Sequence, residues 1–250
     1  KYRIIWGEIC QPASTIEIDV TTLDELYAKH EIQLPHFLSL DVQGAEYDIL
    51  EGASKALEGD LLGIVSEVEF RELYDGQKLF MEQYALLKQH QFNLFELYNT
   101  EHWFYGIILG KGALTVAEAL FLRDFQYFTE RDKDPVRLLS NLSKLAIVAE
   151  SFGRTSYAFQ ILEYIMNNWQ HEWDALTKQN SDGYLHDLNE LYRRVKALQP
   201  EIEKLPTYSE FIAKEQNSLP GHEPMQRLKS ILSLAYNLNL KMIADKLRGL

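Results

Sequence analysis

The stretch Phe37-Leu38-Ser39-Leu40-Asp41-Val42-Gln43-Gly44-Ala45-Glu46 decides how this chain folds. It opens as a short apolar strand and ends abruptly at Asp41 in an acidic, glycine-containing turn. Beyond the turn, Ile49, Leu50, Ala53 and Leu57 fall at helical spacing, which predicts a one-faced helix packed on a sheet. A strand that turns directly into a helix is the unit of open α/β sheets. Ligands bind such sheets at the carboxyl ends of their strands.

Upstream, Ile16 to Val20 alternates apolar and charged residues as a half-buried strand does, and Thr22 offers a cap for a helix beginning at Leu23. Pro35 ends the intervening loop and launches the strand Phe37 to Leu40. Downstream, Leu62 to Phe70 reads as a strand that is apolar at its start and acidic towards its end. Leu79, Tyr84, Leu86 and Leu87 then support another helix. Phe92 to Tyr98 and Trp103 to Leu109 read as two more strands, joined through Asn99 to His102 as an antiparallel hairpin. The strand-helix-strand spacing before them favours a parallel sheet with crossover connections.

Almost everything after Leu114 reads as helix. The expected organisation is therefore an α/β part over residues 1–112 and an all-α helical domain over 113–250. Within the second part, Leu142, Leu145, Ala149, Gly153 and Ala158 recur at a fixed offset as Leu228, Ile231, Ala235, Asn239 and Ala244. Each copy is a helix, a residue tolerant of positive φ, and a second helix. The copies resemble helix pairs of tetratricopeptide-like solenoids, and an ordinary bundle fits the same pattern. Leu185, Leu188, Leu191, Tyr192 and Val195 predict an amphipathic helix stopped near Pro200, and Asn217 to Glu223 reads as a surface loop.

Twenty-five basic against thirty-seven acidic side chains in 250 residues give a formal net charge of −12, which repels nucleic acid and anionic membrane surfaces. The single cysteine, Cys10, allows neither an internal disulfide nor a CxxC metal site, and it suits a reduced, cytoplasmic setting. No apolar run is long enough to span a bilayer, and the start at Lys1 suggests a processed or excised piece. The seven histidines form no HExxH or closely spaced ligand set, so no metal site is assigned to them.

Chemistry is expected where acidic residues meet strand ends. Asp41 closes its strand, and Glu67 and Glu69, two apart, lie on the same side of the next one. If those strands are neighbours, three carboxylates converge on one cleft. Such a group can orient a hydroxyl, take its proton, hold a cationic sulfonium or amine, or bind a hard divalent cation. The alternative is that Asp41 caps the helix beginning near Ala45 while Glu67 and Glu69 face solvent.

These segments resemble the FkbM-type, S-adenosylmethionine-dependent methyltransferases. The resemblance is carried in order by Ile16 to Leu26, by the signature Phe37 to Ala53 with Gln43 where many members carry Glu, and by Val65 to Phe70. Leu73 to Gln77 and Phe92 to Leu97 complete it. It implies the later strands of a class I methyltransferase (Rossmann-like) sheet, S-adenosylmethionine as donor, and an oxygen acceptor on a sugar or other small metabolite. It implies catalytic roles for Asp41 and Glu67 and cofactor contacts from Asp41, Gln43, Gly44 and Glu46. Acceptor contacts fall to Glu69, Tyr74 and Gln77. An Asp-Gly turn explains Tyr74 to Gln77 equally well.

The glycine-rich turn that follows the first strand in this fold is missing, since only fifteen residues precede Ile16. The expected function is accordingly a methyltransferase seen in part, with this piece alone inactive. The alternative is a binding or scaffold protein whose helical domain contacts a protein partner or a second copy.

Overall fold

The computed structural model describes Ser14 and residues 16–104, 112–179 and 183–202. By its contacts the chain divides into two compact units, residues 1–193 and 194–250, and the sheet and its helices belong to the first.

Four strands form one mixed sheet: β1 (Phe37–Leu40), β2 (Gly63–Glu69), β3 (Phe92–Trp103) and β4 (Ala113–Arg123), in the order β1-β2-β4-β3. β1 runs parallel to β2 with Leu40 opposite Ser66. β4 is antiparallel to both of its neighbours. Parallel neighbours need a crossover, and here α2 (Glu46–Glu51) and α3 (Ser54–Leu57) supply it. Side chains alternate along each strand, so the sheet has two differently furnished faces.

One face carries Leu40, Ile64, Val68, Ala119 and Phe121, packed against Leu50 and Leu57 of the crossover and Leu87 of α4 (Phe80–Gln89). The other carries Leu62, Val65, Leu120 and Leu122, buried under a helical layer. That layer is α5 (Phe125–Arg131), α6 (Pro135–Ser151), α7 (Thr155–Asn168), α8 (Gln170–Gln179) and the first part of α9 (Gly183–Ile202). This layer covers only the amino-terminal half of β2. Further along the same face stand Glu67 and Glu69, and register places Glu118 of β4 and Tyr98 of β3 in line with Glu67.

α6 and α7 form the helix pair expected from Leu142 to Ala158. Asp134 caps α6 by accepting from the Arg137 N–H, and Pro135 occupies its first turn. Gly153, at φ +67°, ends it: the Arg154 N–H reaches the Ala149 carbonyl while the Gly153 N–H reaches Glu150. Those paired bonds are a Schellman motif, which requires a left-handed residue. The second copy of the repeat, Leu228 to Ala244, and the loop Asn217 to Glu223 lie outside the described residues.

Arg123, the last residue of β4, is 0 % exposed. Its guanidinium donates to the Leu61 carbonyl at 3.0 Å, to Leu57 at 2.7 Å and to His90, and it lies 3.8 Å from the Phe92 ring and 4.2 Å from Tyr127. Carbonyl dipoles and ring faces thus take the place of a carboxylate partner, and burial pulls its pKa down to about 10. The Arg123 carbonyl accepts from the Tyr157 hydroxyl at 2.6 Å, which ties α7 to the same strand end.

Four expectations need correction. The α/β part does not end at residue 112, because Ala113–Arg123 is a central strand. Its Ala, Leu and Glu content favours helix in isolation. Between β2 and β3, however, nearly every residue is buried, and tertiary context overrides that preference. Asn99 to His102 is not a hairpin turn. The positive φ of Asn99, 49°, is absorbed where the register shifts between Tyr98 and Glu101, and the strand runs on to Trp103. The hairpin partner of β3 is β4, and residues 105–109 of the expected strand are undescribed. Ile16 to Val20 joins no ladder among the described residues and exposes Ile16, Ile18 and Val20; without a paired neighbour its alternation has no face to bury. α9 continues through Pro200 to Ile202 rather than stopping before the proline.

Candidate active site at the strand ends

The turn after β1 is held by its own chain. Gln43 has φ +58° and Gly44 φ +107°, a left-handed pair that swings the backbone from strand into α2. Glu46, in the first turn of α2 and 1 % exposed, accepts the Val42 N–H at 2.8 Å and the Gly44 N–H at 2.9 Å. Carboxylate bonds to backbone N–H are the strong kind, and two of them fix the turn from within. Asp41 is therefore not the helix cap. It is exposed, and the position before α2 belongs to Ala45, which makes no side-chain cap bond.

Asp41 turns instead towards β2. The Gln43 amide nitrogen donates to Asp41 Oδ1 at 2.8 Å and to Glu67 Oε2 at 3.3 Å, bridging the two strand ends. The expected juxtaposition of Asp41 and Glu67 follows from β1 and β2 being parallel neighbours.

A second wall comes from the loop after β2. A β-carbon on Gly44 would lie 2.7 Å from the Tyr74 ring and 2.8 Å from Gln77 Nε2, so this loop rests on the turn itself. Gln77 shapes the loop by accepting the Leu73 N–H at 3.0 Å, and Gly76, at φ +78°, supplies the tight Asp-Gly reversal. Tyr74 to Gln77 is thus an Asp-Gly turn packed against the turn after β1. Glu69 is 1 % exposed, with Oε2 unpartnered; the neighbouring Gln77 Nε2 is also buried without a partner.

Crowding acid groups onto one face has an electrostatic consequence. Glu67 is pushed up to about 7, first by burial and then by the charges of Asp41, Glu46, Glu101 and Glu118. Glu69 is also raised to about 7, by burial and then by Glu46 and Glu67, with the Gln77 amide pulling the other way. Such groups change protonation near neutrality, as proton acceptors and donors in catalysis do. The mutual repulsion also favours any cation placed among them. Oxygens of Asp41, Glu46 and Glu67 all lie within 4.8 Å of one another.

Three contributors are not legible as site residues in the sequence. Glu118 stands opposite Glu67 on β4 and accepts from Asn99 Nδ2 at 2.7 Å. Tyr98, opposite Glu118, has its hydroxyl pushed up to about 12 by burial and by the Glu118 and Glu96 charges. Gln83 of α4, on the far face, accepts from the Ser66 hydroxyl at 3.1 Å and donates to the Glu67 carbonyl at 3.4 Å. A lone acid within the otherwise apolar run Val116 to Leu122 is the available signal for Glu118.

The turn sets what cofactor end fits here. Its Val42 and Gly44 N–H groups are both spent on Glu46, so they form no anion-binding nest, whereas the exposed Asp41 carboxylate and the Gln43 amide suit a cationic group. No glycine-rich strand-to-helix turn occurs among the described residues.

Residues 8–94 match the model of the methyltransferase FkbM domain. This span contains β1, β2, the turn, the Tyr74 loop and every site residue expected from the sequence, so the resemblance first carried by Phe37 to Ala53 is shown. No curated protein and no solved structure matches significantly. Among the described residues, no helix is long and apolar enough to cross a membrane.

Proposed function

From the methyltransferase FkbM domain matched across residues 8–94, we propose methyl transfer to a hydroxyl oxygen of a sugar or other small metabolite, with S-adenosylmethionine as donor. The observation that carries this reading is the Gln43 amide joining Asp41 to Glu67 at the carboxyl ends of adjacent parallel strands. That position is where open α/β sheets hold their ligands.

The donor supplies an electrophilic methyl on a cationic sulfur, and the exposed carboxylate of Asp41 with the Gln43 amide would hold its cationic end. The chain's own residues do the rest. Glu67 takes the proton of the acceptor hydroxyl as the new oxygen–carbon bond forms and the sulfur–carbon bond breaks. Asp41, on the other side of the shared amide, keeps Glu67 basic enough to do so. Tyr74 and Gln77 close the far side of the turn and line the acceptor's approach, with Glu69 behind them. Alignment of the two reactants is the larger contribution, because a direct displacement needs an in-line approach.

The test is methyl transfer from labelled S-adenosylmethionine by a protein carrying residues 1–250, assayed against a panel of sugar and small alcohol acceptors. Asp41→Asn and Glu67→Gln should each lower the rate by about 100-fold or more, the usual scale of a lost general base. Undiminished transfer in both variants overturns the assignment.

A further inference from the structure

At the opposite end of the sheet from Asp41, the edge strand β3, the junction of β4 with α5 and the start of α7 bound an open cavity of about 400 Å³. Its apolar wall is made of three rings, Phe95, Phe125 and Tyr157. The Tyr157 hydroxyl donates to the Arg123 carbonyl at 2.6 Å and accepts the Phe125 N–H at 2.9 Å, which fixes its ring. Asp124, beside them, accepts from Asn93 Nδ2 at 3.2 Å and from the Gln126 N–H at 3.0 Å, and Asn93 Oδ1 accepts from Lys88 at 2.6 Å. These groups are set in place by the fold itself. Gln126, Ser156 and Gln160 line the same cavity, are exposed, and make no side-chain hydrogen bond among the described residues.

We infer that this cavity holds an uncharged sugar ring. Its volume lies at the small end of the range of about 300–1,000 Å³ for ligand clefts, and an aromatic wall with a few placed polar groups is the usual lining. Each sugar hydroxyl both donates and accepts, and so do the Gln126 and Gln160 amides and the Ser156 hydroxyl. The negative face of an aromatic ring suits the C–H face of a sugar. A flat base is served less well, because the Phe95 and Phe125 rings lie at 49° and 52° to Tyr157 and leave no parallel slot. Asp124 is the one charged group of the lining, so a phosphate or carboxylate is repelled, and both its oxygens already accept N–H groups, so a cation gains little.

The site goes beyond the proposed methyl transfer and stands without it: a sugar here is held, not methylated, because Asp41 and Glu67 lie at the other end of the strands. Protein carrying residues 1–250, labelled with ¹⁵N, is titrated with glucose, galactose, mannose and maltose while the side-chain NH₂ signals of Asn93, Gln126 and Gln160 are followed by NMR. Saturable shifts in the millimolar range are expected with at least one of them. Gln126→Ala combined with Gln160→Ala removes two exposed hydrogen-bonding groups and should weaken binding at least tenfold. Phe95→Leu keeps apolar volume but loses the ring face, and should weaken it likewise. Asp41→Asn should leave these shifts unaltered, which separates this cavity from any sugar bound at the acidic corner. Tighter binding of maltose than of glucose assigns the end of a glycan, and weaker binding a free sugar; either upholds the site. Absence of saturable shifts with every sugar, or wild-type binding in the double glutamine variant, overturns the inference. Saturable shifts with adenosine and none with the sugars overturn it too, in favour of a flat base.

Discussion

Replacing Glu46 with Gln tests whether the turn after β1 is fixed from within. The wild-type carboxylate accepts two backbone N–H groups, from Val42 at 2.8 Å and Gly44 at 2.9 Å, in a position 1 % exposed. Glutamine keeps one oxygen, so one bond survives as a weaker neutral bond. At the other position an NH₂ faces a backbone N–H. Losing a bond to a charged group costs about 1.5–3 kcal/mol, and weakening the second costs about 1 kcal/mol more. Relief of repulsion with Glu67 and Glu69 returns about 1 kcal/mol, leaving a net loss of about 1.5–3 kcal/mol. In urea, with a slope of about 2 kcal/mol/M, the unfolding midpoint should fall by about 0.75–1.5 M. Amide hydrogen exchange at Val42 and Gly44 should accelerate in the same variant, because one N–H loses its acceptor and the other keeps only a weaker one. A midpoint shift below about 0.2 M, with exchange at both amides unchanged, would refute the clamp.

Two further outcomes follow from the same corner. Glu67 and Glu69 each titrate near 7 in the folded chain against an ordinary 4.5, so the folded state binds protons more tightly than the unfolded one. Their contribution to stability is therefore fully present below about pH 4.5 and is lost as pH rises to about 7. The melting temperature of the wild type relative to Glu67→Gln should fall across that window; a difference that rises from about pH 5 to 7 contradicts it. Gly44→Ala imposes a side chain at φ +107° and places it against the Tyr74 ring and Gln77, costing about 2–4 kcal/mol. Adding Tyr74→Ala should recover the steric share and leave the backbone share, so a strictly additive double variant would show that the loop does not rest on the turn.

The β1-turn-α2 junction is legible in the sequence because apolar strand, acid, glycine and helical spacing occur together within twenty residues. The juxtaposition of Asp41 and Glu67 is legible too, since a crossover of that length makes β1 and β2 parallel neighbours. Glu46 falls in the right turn on sequence grounds, yet spacing cannot reveal that both its oxygens are spent on backbone N–H groups. β4 escapes sequence reading for a different reason. Ala113 to Arg123 is built from helix-favouring residues, and only the presence of β2 and β3 on either side makes it a strand. With β4 hidden, Glu118 and its pairing with Tyr98 and Asn99 have no place.

The buried end of β4 bears on how the first unit comes apart. Arg123 holds the ends of α3 and α4 with its guanidinium on one side of the sheet, while its carbonyl accepts from Tyr157 of the helical layer on the other. Peeling α7 away would strand that carbonyl. Loosening α3 would strand a cation in an apolar core. Neither layer can open without destabilising the other, so the helices after residue 124 are expected to protect the strand amides from exchange as one cooperative block with the sheet. A proteolytic cut between sheet and helices should then yield two fragments that fail to refold separately, and the acidic cleft inherits its rigidity from an arginine at the opposite end of its strands.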